Sequence, residues 1–312
     1  MTSAERSEEP LLAPELMARV RRIQIRTQQL VSGALQGSYR SNFRGTGIEF
    51  EEVRPYMPGD EVRDIDWNVT ARTGEPHIKT YQEDRQLLLQ ILVDTSRSMD
   101  FGSGAKTKRE VAAEVAALLS FVAASNQDAV GLSLFSQETE KHLAPDKGSR
   151  HVLRIVREVV AARADGASSS LENVLEDQLM HLKRRTLVFL VSDFHGVEDE
   201  PGWSDVLAQV ARRHDVICVR TYDPFEEELP AAGILLMQDV ERGETVEVDT
   251  RSRRVRESWR DAAERRRDAF LAGVRRGRAD AIEISTTEDV ADPILRCFLR
   301  RARGGRMGGL RK

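Results

Sequence analysis

The sequence predicts an α/β fold: a Rossmann-type, mostly parallel sheet with helices on both faces, preceded by an N-terminal helix and a small strand and loop layer. Three observations carry this. Near-continuous apolar runs of strand length occur at residues 87–93 (LLLQILV) and 186–192 (TLVFLVS), the pattern of strands buried on both faces. From residue 86 onward, helical periodicity alternates with such runs. Each of the two runs is followed at once by an aspartate, Asp94 and Asp193, at the strand end where parallel sheets collect ligands.

Residues 1–13 are polar and punctuated by proline, so a disordered N-terminus is expected. Over 14–35, Leu16, Val20, Ile23, Leu30 and Ala34 recur at helical spacing; the helix they predict is ended by Gly33, Gly37 and Ser38. Residues 42–85 combine Gly, Pro, paired charges, weak alternation and a PGD turn, which predicts short strands and loops rather than a helix, with a boundary near Asp84. The domain that follows is expected over 86–302, with 303–312 as a basic tail. Within it the order is strand 87–93, helix 106–125, strand 129–135 with a short partner at 139–143, and helices 150–161 and 171–184. Strand 186–192, helix 203–214, strand 216–221, an Arg-rich helix 252–275, strand 281–285 and helix 289–301 complete it. A hairpin at 234–250 interrupts the alternation, with Glu241, Arg242 and Gly243 at its turn.

The 312 residues are 31% charged and 40% hydrophobic, with 47 Lys+Arg against 51 Asp+Glu, the composition of an ordered globular chain. Only two cysteines occur, Cys218 and Cys297, outside any CxxC or Cys/His spacing, which argues against a disulfide framework and a structural zinc site. The start MTSAERSEEP lacks the basic and apolar regions of a secretory signal, and no run of about 18 apolar residues exists, so a cytoplasmic location is expected. Charge is unevenly placed. Residues 251–278 hold eleven arginines against four acidic residues, 296–312 hold seven basic and no acidic residues, and 223–249 hold nine acidic residues and one arginine. Such blocks form solvated faces, or docking surfaces for a charged partner or nucleic acid.

The sequence DTSRSM places Asp94, Ser96 and Ser98 on alternate residues of one strand-to-helix loop. A further hydroxyl source, Ser168, Ser169 and Ser170, follows Asp165 and Gly166 just before the helix beginning at Leu171. With Asp193 this set offers oxygen only, which suits a hard cation such as Mg²⁺, with Mn²⁺ or Ca²⁺ as alternatives. The competing structural reading has Ser96 and Ser98 capping the next helix while Asp94 bonds loop amides. Asp60, Asp64, Asp66, Arg63, Arg72 and His77 read either as an active site or as ion pairs fixing a loop-rich layer, with Tyr56 and Trp67 as packing anchors. No histidine pair has metal-ligand spacing, and His195 is the histidine expected beside the site.

Enzyme motifs are missing. In GSGAKT, Ala105 separates Gly104 from Lys106, so no Walker A loop forms. Ser96 stands where an aspartyl phosphatase needs its second carboxylate, and GxSxG is absent. A non-enzymatic role is expected.

The pattern Asp94, Ser96, Ser98, Ser169 and Asp193 resembles the metal-ion-dependent adhesion site of von Willebrand factor A-type domains. The resemblance implies that Ser96, Ser98 and Ser169 bind Mg²⁺ directly while Asp94 and Asp193 hold it through water, leaving a coordination position for a partner's carboxylate. Arg97 and His195 would flank that partner. Ser169 replaces the threonine of that pattern, keeping the hydroxyl and losing the stiffening methyl, and Ser168 and Ser170 stand beside it as alternatives. More widely, PYMPGDEVRDIDWNVTARTGEPHIKTYQEDR, DTSRSMDFG, FLVSDF and RRHDVICVRTYDPFEEELP resemble the bacterial family catalogued as domain of unknown function 58. That resemblance implies an adaptor or chaperone-like partner of a MoxR-type AAA+ ATPase, with other cell-envelope or complex-assembly proteins as further partners. Many members carry N-terminal membrane helices; this polar N-terminus departs from them, and peripheral attachment to the inner membrane is the alternative to a free cytoplasmic protein. A rival function is a nucleic-acid or anionic-surface binder acting through the Arg-rich C-terminal region. Trp259 and Phe270 fall on the apolar stripe of that helix with Val255 and Val274, which leaves few aromatics to stack on bases.

Overall fold

The computed structural model describes residues 18, 20–25, 27, 33–42, 47–84, 87–162, 169–200, 202–238 and 245–303. The expected disordered start, 1–13, lies outside them. Within 14–35, residues 18, 20–25 and 27 are helical, and Val20 and Ile23 are buried. Where a helix end is expected, Gly33 opens helix α1 (Gly33–Asn42) and Gly37 and Ser38 lie inside it. Tertiary packing explains the difference. Leu35 and Tyr39 are buried, and the Tyr39 ring lies 6.1 Å from that of Phe298 near the C-terminus, contacts that outweigh the roughly 1 kcal/mol a helical glycine costs.

Residues Phe43–Leu87 form a unit of their own. Strands β1 (Gly47–Pro55) and β2 (His77–Asp84) pair antiparallel from Gly47↔Asp84 to Pro55↔His77. Between them lie a 3-10 turn (Val62–Asp64) and a helix that the loop-like composition does not predict, α2 (Trp67–Thr73). Its limits are local. The Asp66 carboxylate accepts from the Asn68 and Val69 amides, and Gly74 closes the helix at φ 78°. Arg54 donates two hydrogen bonds to Asp60, at 2.9 and 2.7 Å, and Asp60 also accepts from the Met57 amide at 2.8 Å. Asp60 and Asp66 thus shape a turn and a cap, and the structural reading of this segment is the one its geometry favours. Trp67 is 68% exposed, so it is not the anchor expected of it.

In the larger unit six strands form one sheet, β3 (Leu88–Asp94), β4 (Ala129–Phe135), β5 (Thr139–Asp146), β6 (Leu187–Ser192), β7 (Asp215–Tyr222) and β10 (Asp280–Ser285). The spatial order is β5-β4-β3-β6-β7-β10, with β5 antiparallel and every other pair parallel. Numbered within the sheet this is 3-2-1-4-5-6, the doubly wound order, and the winding reverses between β3 and β6. The antiparallel hairpin β8 (Ile234–Gln238) and β9 (Thr245–Asp249) lies between β7 and β10 in the chain. Its expected turn, Glu241, Arg242 and Gly243, and the tail beyond residue 303 lie outside the described residues.

Helices cover both faces. Helix α3 (Lys108–Ser125) packs with α4 (Ser149–Ala161) and with α1, and α1 packs on α9 (Ala291–Ala302). On the other face, α5 (Leu171–His181), α6 (Trp203–Arg213) and α8 (Arg253–Arg276) share a core with Val188, Leu190 and Cys218. Alternate residues along β6 divide between the layers: Phe189, next to Val188, sets its ring against Phe298 of α9 at 6.4 Å. A single turn, α7 (Pro224–Glu227), follows β7 and is not anticipated by the periodicity. Among the described residues no helix is long and apolar enough to cross a membrane.

Both cysteines are free and buried, and burial pushes each thiol above its ordinary pKa. The native protein is therefore expected to leave Cys218 and Cys297 unmodified by a thiol reagent until it is unfolded; rapid native labelling would contradict this burial. Phe298→Ala, which removes the ring shared by Tyr39 and Phe189, is expected to cost about 3–5 kcal/mol. An unchanged urea midpoint would show that this layer is not packed as described.

Candidate functional site

The carboxyl ends of β3 and β6, where the winding reverses, hold the predicted residues. Asp94 ends β3 and is fully buried. Its Oδ2 accepts from Ser192 Oγ at 2.6 Å, a bond between the last residues of the two neighbouring strands, and its Oδ1 accepts from the Ser96 amide at 2.8 Å. A 3-10 turn, Arg97–Asp100, then bends the chain so that Ser96 Oγ and Ser98 Oγ stand 3.1 Å apart. Ser98 favours the ionised carboxylate of Asp193, whose Oδ1 accepts from the His195 amide at 3.1 Å. Phe194, between them, has a φ of 54°, an unusual conformation for a bulky residue that costs roughly 1–3 kcal/mol. Burial of its ring 4.5 Å from that of Phe270 and 5.8 Å from that of Trp203 holds it there.

Four of the five predicted ligands, Asp94, Ser96, Ser98 and Asp193, are thereby brought together. Ser169 is half-buried and, among the described residues, makes no hydrogen bond to the other four. Ser170 is committed elsewhere, donating to Glu200 at 2.7 Å and accepting from the Asn173 amide as the cap of α5. Ser168 lies outside the described residues. Arg97 and His195 are exposed at the rim. The capping alternative fails for Ser96 and Ser98, because Thr107 caps α3 in a reciprocal box with Glu110, while Asp94 does bond a loop amide.

Two basic residues that sequence reasoning missed emerge from the first turn of α3. Lys108 is fully buried, with Nζ 2.7 Å from Asp193 Oδ2 and 2.6 Å from Glu226 Oε1. Arg109 binds Asp100 through Nε at 2.5 Å and donates through Nη2 to the Thr95 carbonyl at 3.1 Å, which braces the serine loop from below. The available signal was position: Lys108 sits three, four and seven residues before Val111, Ala112 and Val115, on the buried stripe of the helix. Burial, and next the charge of Asp193, raise the Asp94 carboxyl above the usual carboxylate range. Burial works the same way on Asp193, but the Lys108 ammonium outweighs it and holds that carboxyl low. Burial also works against the charge of Lys108, and Asp193 and Glu226 together more than restore it. Two carboxylates, those of Asp193 and Glu226, thus hold one ammonium. Among the described residues no group of three His, Cys, Asp or Glu side chains is arranged to hold a metal, so a cation here depends on serine oxygens. A cleft of about 110 Å³ adjoins the pair, lined by Lys108, Asp193, His195, Tyr222, Trp259 and Arg266 among others.

Below the rim, Asp223 ties three elements. It accepts from Ser103 Oγ at 2.6 Å, the Ser103 amide at 2.9 Å, Thr286 Oγ1 at 2.7 Å and the Phe225 amide at 2.9 Å. Several arginines of α8 have partners within the protein: Arg253 pairs with Glu257, Arg267 with Glu283 and Arg276 with Asp205. Arg256 bonds the Thr250 carbonyl and Arg266 the Glu226 carbonyl.

Comparison with known proteins gives a match to the family described as "Protein of unknown function DUF58" over residues 52–269. Uncharacterized protein Rv1480 of Mycobacterium tuberculosis is 30% identical over 298 residues, covering 95% of this chain and 92% of that protein. Among solved structures, the conserved hypothetical protein BatB from Bacteroides thetaiotaomicron covers 70% of this chain and 99% of its own at 12% identity and a TM-score of 0.46. The SpRpn10 VWA domain covers 73% and 100%, at 13% identity and a TM-score of 0.38.

Burial works to raise the Asp223 carboxyl, and its hydrogen bonds from Ser103, Thr286 and Phe225 overcome that, holding it below the ordinary value. The folded state thus favours the ionised form, so its contribution is full above the ordinary carboxylate pKa and fades as pH falls through the lowered one. Asp223→Asn is expected to cost about 1–3 kcal/mol at neutral pH. The gap in urea midpoint between wild type and variant should narrow below a pH of about 4. A gap that stays constant with pH would contradict this.

Proposed function

The chain belongs to the DUF58 family, and on that premise we propose that it is a non-enzymatic interaction module that binds Mg²⁺ at Asp94, Ser96, Ser98 and Asp193 and engages a partner's carboxylate there. The observation that carries this reading is the convergence of two carboxylates and two hydroxyls from neighbouring strand ends at the reversal of the sheet. An octahedral ion with ligands at 2.0–2.1 Å sets adjacent oxygens about 3 Å apart. The 3.1 Å between Ser96 Oγ and Ser98 Oγ fits such an edge. Burial first, and then the neighbouring charge of Asp193, raise the Asp94 carboxyl, and a cation between the two would relieve that repulsion.

Each residue has a part in this reading. Ser96 and Ser98 supply neutral oxygens, which leave the cation's charge unquenched toward a ligand. Asp94, anchored by Ser192 and the Ser96 amide, fixes the loop and supplies long-range attraction. Asp193 supplies the second carboxylate, and Ser169 remains the candidate from the adjoining loop. When bound, the ion supplies an open coordination position for a carboxylate. Exposed Arg97 and His195 stand where they would favour an acidic partner surface. The partner proposed is a MoxR-type AAA+ ATPase, with this protein as its adaptor and other complex-assembly proteins as further clients.

The nucleic-acid alternative is the weaker one, because Arg253, Arg267 and Arg276 of α8 already have carboxylate partners in Glu257, Glu283 and Asp205. Calorimetric titration of Mg²⁺ into wild type and Asp94→Ala should show an affinity at least about tenfold lower in the variant, a difference of about 1.4 kcal/mol. Equal affinity in the two would overturn the metal reading. Co-purification with the ATPase should weaken in EDTA, and a complex indifferent to the chelator would place the partner on another surface.

A further inference from the structure

Lys108 is a poor choice of residue for its position unless its charge has work there. It occupies the first position of α3, is fully buried, and faces the same stripe as Val111, Ala112 and Val115. An ammonium at such a depth is costly, and replacing an internal ion pair by apolar side chains is often neutral or stabilising. Its two partners differ in kind. Asp193 is a proposed cation ligand, whereas Glu226 lies on α7, with a side chain 25% exposed, and no ligand role is proposed for it. Lys108 therefore holds one oxygen of the site, Asp193 Oδ2, and has a second carboxylate in reach if that oxygen is shared.

We infer that Lys108 sets the affinity of the site: its buried ammonium is a built-in cation that competes with a divalent ion for Asp193, with Glu226 as its second resting place. This rests on the metal reading above. The competition follows from charge alone. A divalent ion at Asp94, Ser96, Ser98 and Asp193 must share Asp193 with a positive charge already bonded to it at 2.7 Å, in a site screened from water. Removing that charge strengthens the site, and removing Glu226 fastens Lys108 more firmly on Asp193 and weakens the site. The change extends outward. The Glu226 carbonyl accepts from Arg266 at 3.3 Å and the Phe225 carbonyl accepts from Trp259 Nε1 at 3.1 Å, both donors lying on α8. A shift in the partnership of Lys108 therefore reaches the indole of Trp259, which lines the same cleft.

The test is Mg²⁺ titration of the full chain by calorimetry in wild type, Lys108→Met, Lys108→Arg and Glu226→Gln, with near-ultraviolet circular dichroism confirming the fold. Tryptophan emission is followed in parallel, with Trp259→Phe as its control. Lys108→Met is expected to bind Mg²⁺ about tenfold tighter or more, Lys108→Arg to stay within a few-fold of wild type, and Glu226→Gln to bind about tenfold more weakly. Emission should change with Mg²⁺ in wild type and not in Trp259→Phe. If wild type binds and Lys108→Met binds equally, the inference is overturned while the metal reading stands. Binding by Lys108→Met alone would uphold the inference and overturn the metal reading for the natural chain. No heat in either would overturn both. Should Lys108→Met not fold, an unchanged affinity in Glu226→Gln overturns the inference.

Discussion

Two carboxylates, Asp94 and Asp193, leave the ends of neighbouring strands and are buried in one crevice, and the surrounding structure answers the cost of holding like charges there. Burial and mutual repulsion each disfavour a doubly ionised pair. Ser192 and the Ser96 amide bind Asp94, the His195 amide binds Asp193, and Lys108 supplies the positive charge. The strained Phe194 belongs to the same solution, since its φ of 54° turns the backbone directly after Asp193 while its ring enters the core. None of these contacts is separable from the sheet. The crevice exists because the winding reverses between β3 and β6, so that two loops diverge where their strands are adjacent.

Helix α3 connects this crevice to the core. Its apolar stripe packs against the sheet, its cap is a closed box between Thr107 and Glu110, and its first turn carries both Lys108 and Arg109. Lys108 reaches up to the carboxylates and Arg109 reaches to the serine loop, so one helical turn supports both halves of the site. Asp223 does the corresponding work on the far side, joining the loop after β3 to the ends of β7 and β10. The candidate site thus sits at two strand ends and on a short 3-10 turn braced by the first turn of α3.

The sheet strands were legible because strands buried on both faces are almost purely apolar, as in 87–93 and 186–192, and the aspartates after them marked the carboxyl edge that holds the candidate site. The alternate placement of Asp94, Ser96 and Ser98 was legible for the same reason, since it needs only local geometry. What could not be read depended on contacts distant in sequence. The glycines of α1 looked like a helix end because their cost is local and the compensating burial of Tyr39 against Phe298 is not. Helix α2 was hidden by a Gly- and Pro-rich neighbourhood, although Asp66 and Gly74 were its cap and its stop. Lys108 was hidden by its type, because lysines at helix starts are normally solvated, and only its place on the Val111 and Val115 stripe marked it as buried.

The proposed role is binding, and the polar groups that would carry it are the oxygens of Asp94, Ser96, Ser98 and Asp193 beside the tethered ammonium of Lys108. Occupancy of the crevice by a divalent ion is the central claim. The most direct measurement is anomalous diffraction from crystals of the full chain soaked in Mn²⁺, with Asp94→Ala as the reference. The account predicts a single strong anomalous peak within coordination distance of Ser96 Oγ and Ser98 Oγ in wild type, absent from the variant. A wild-type map with no peak between these serines, or an equal peak in Asp94→Ala, would contradict it.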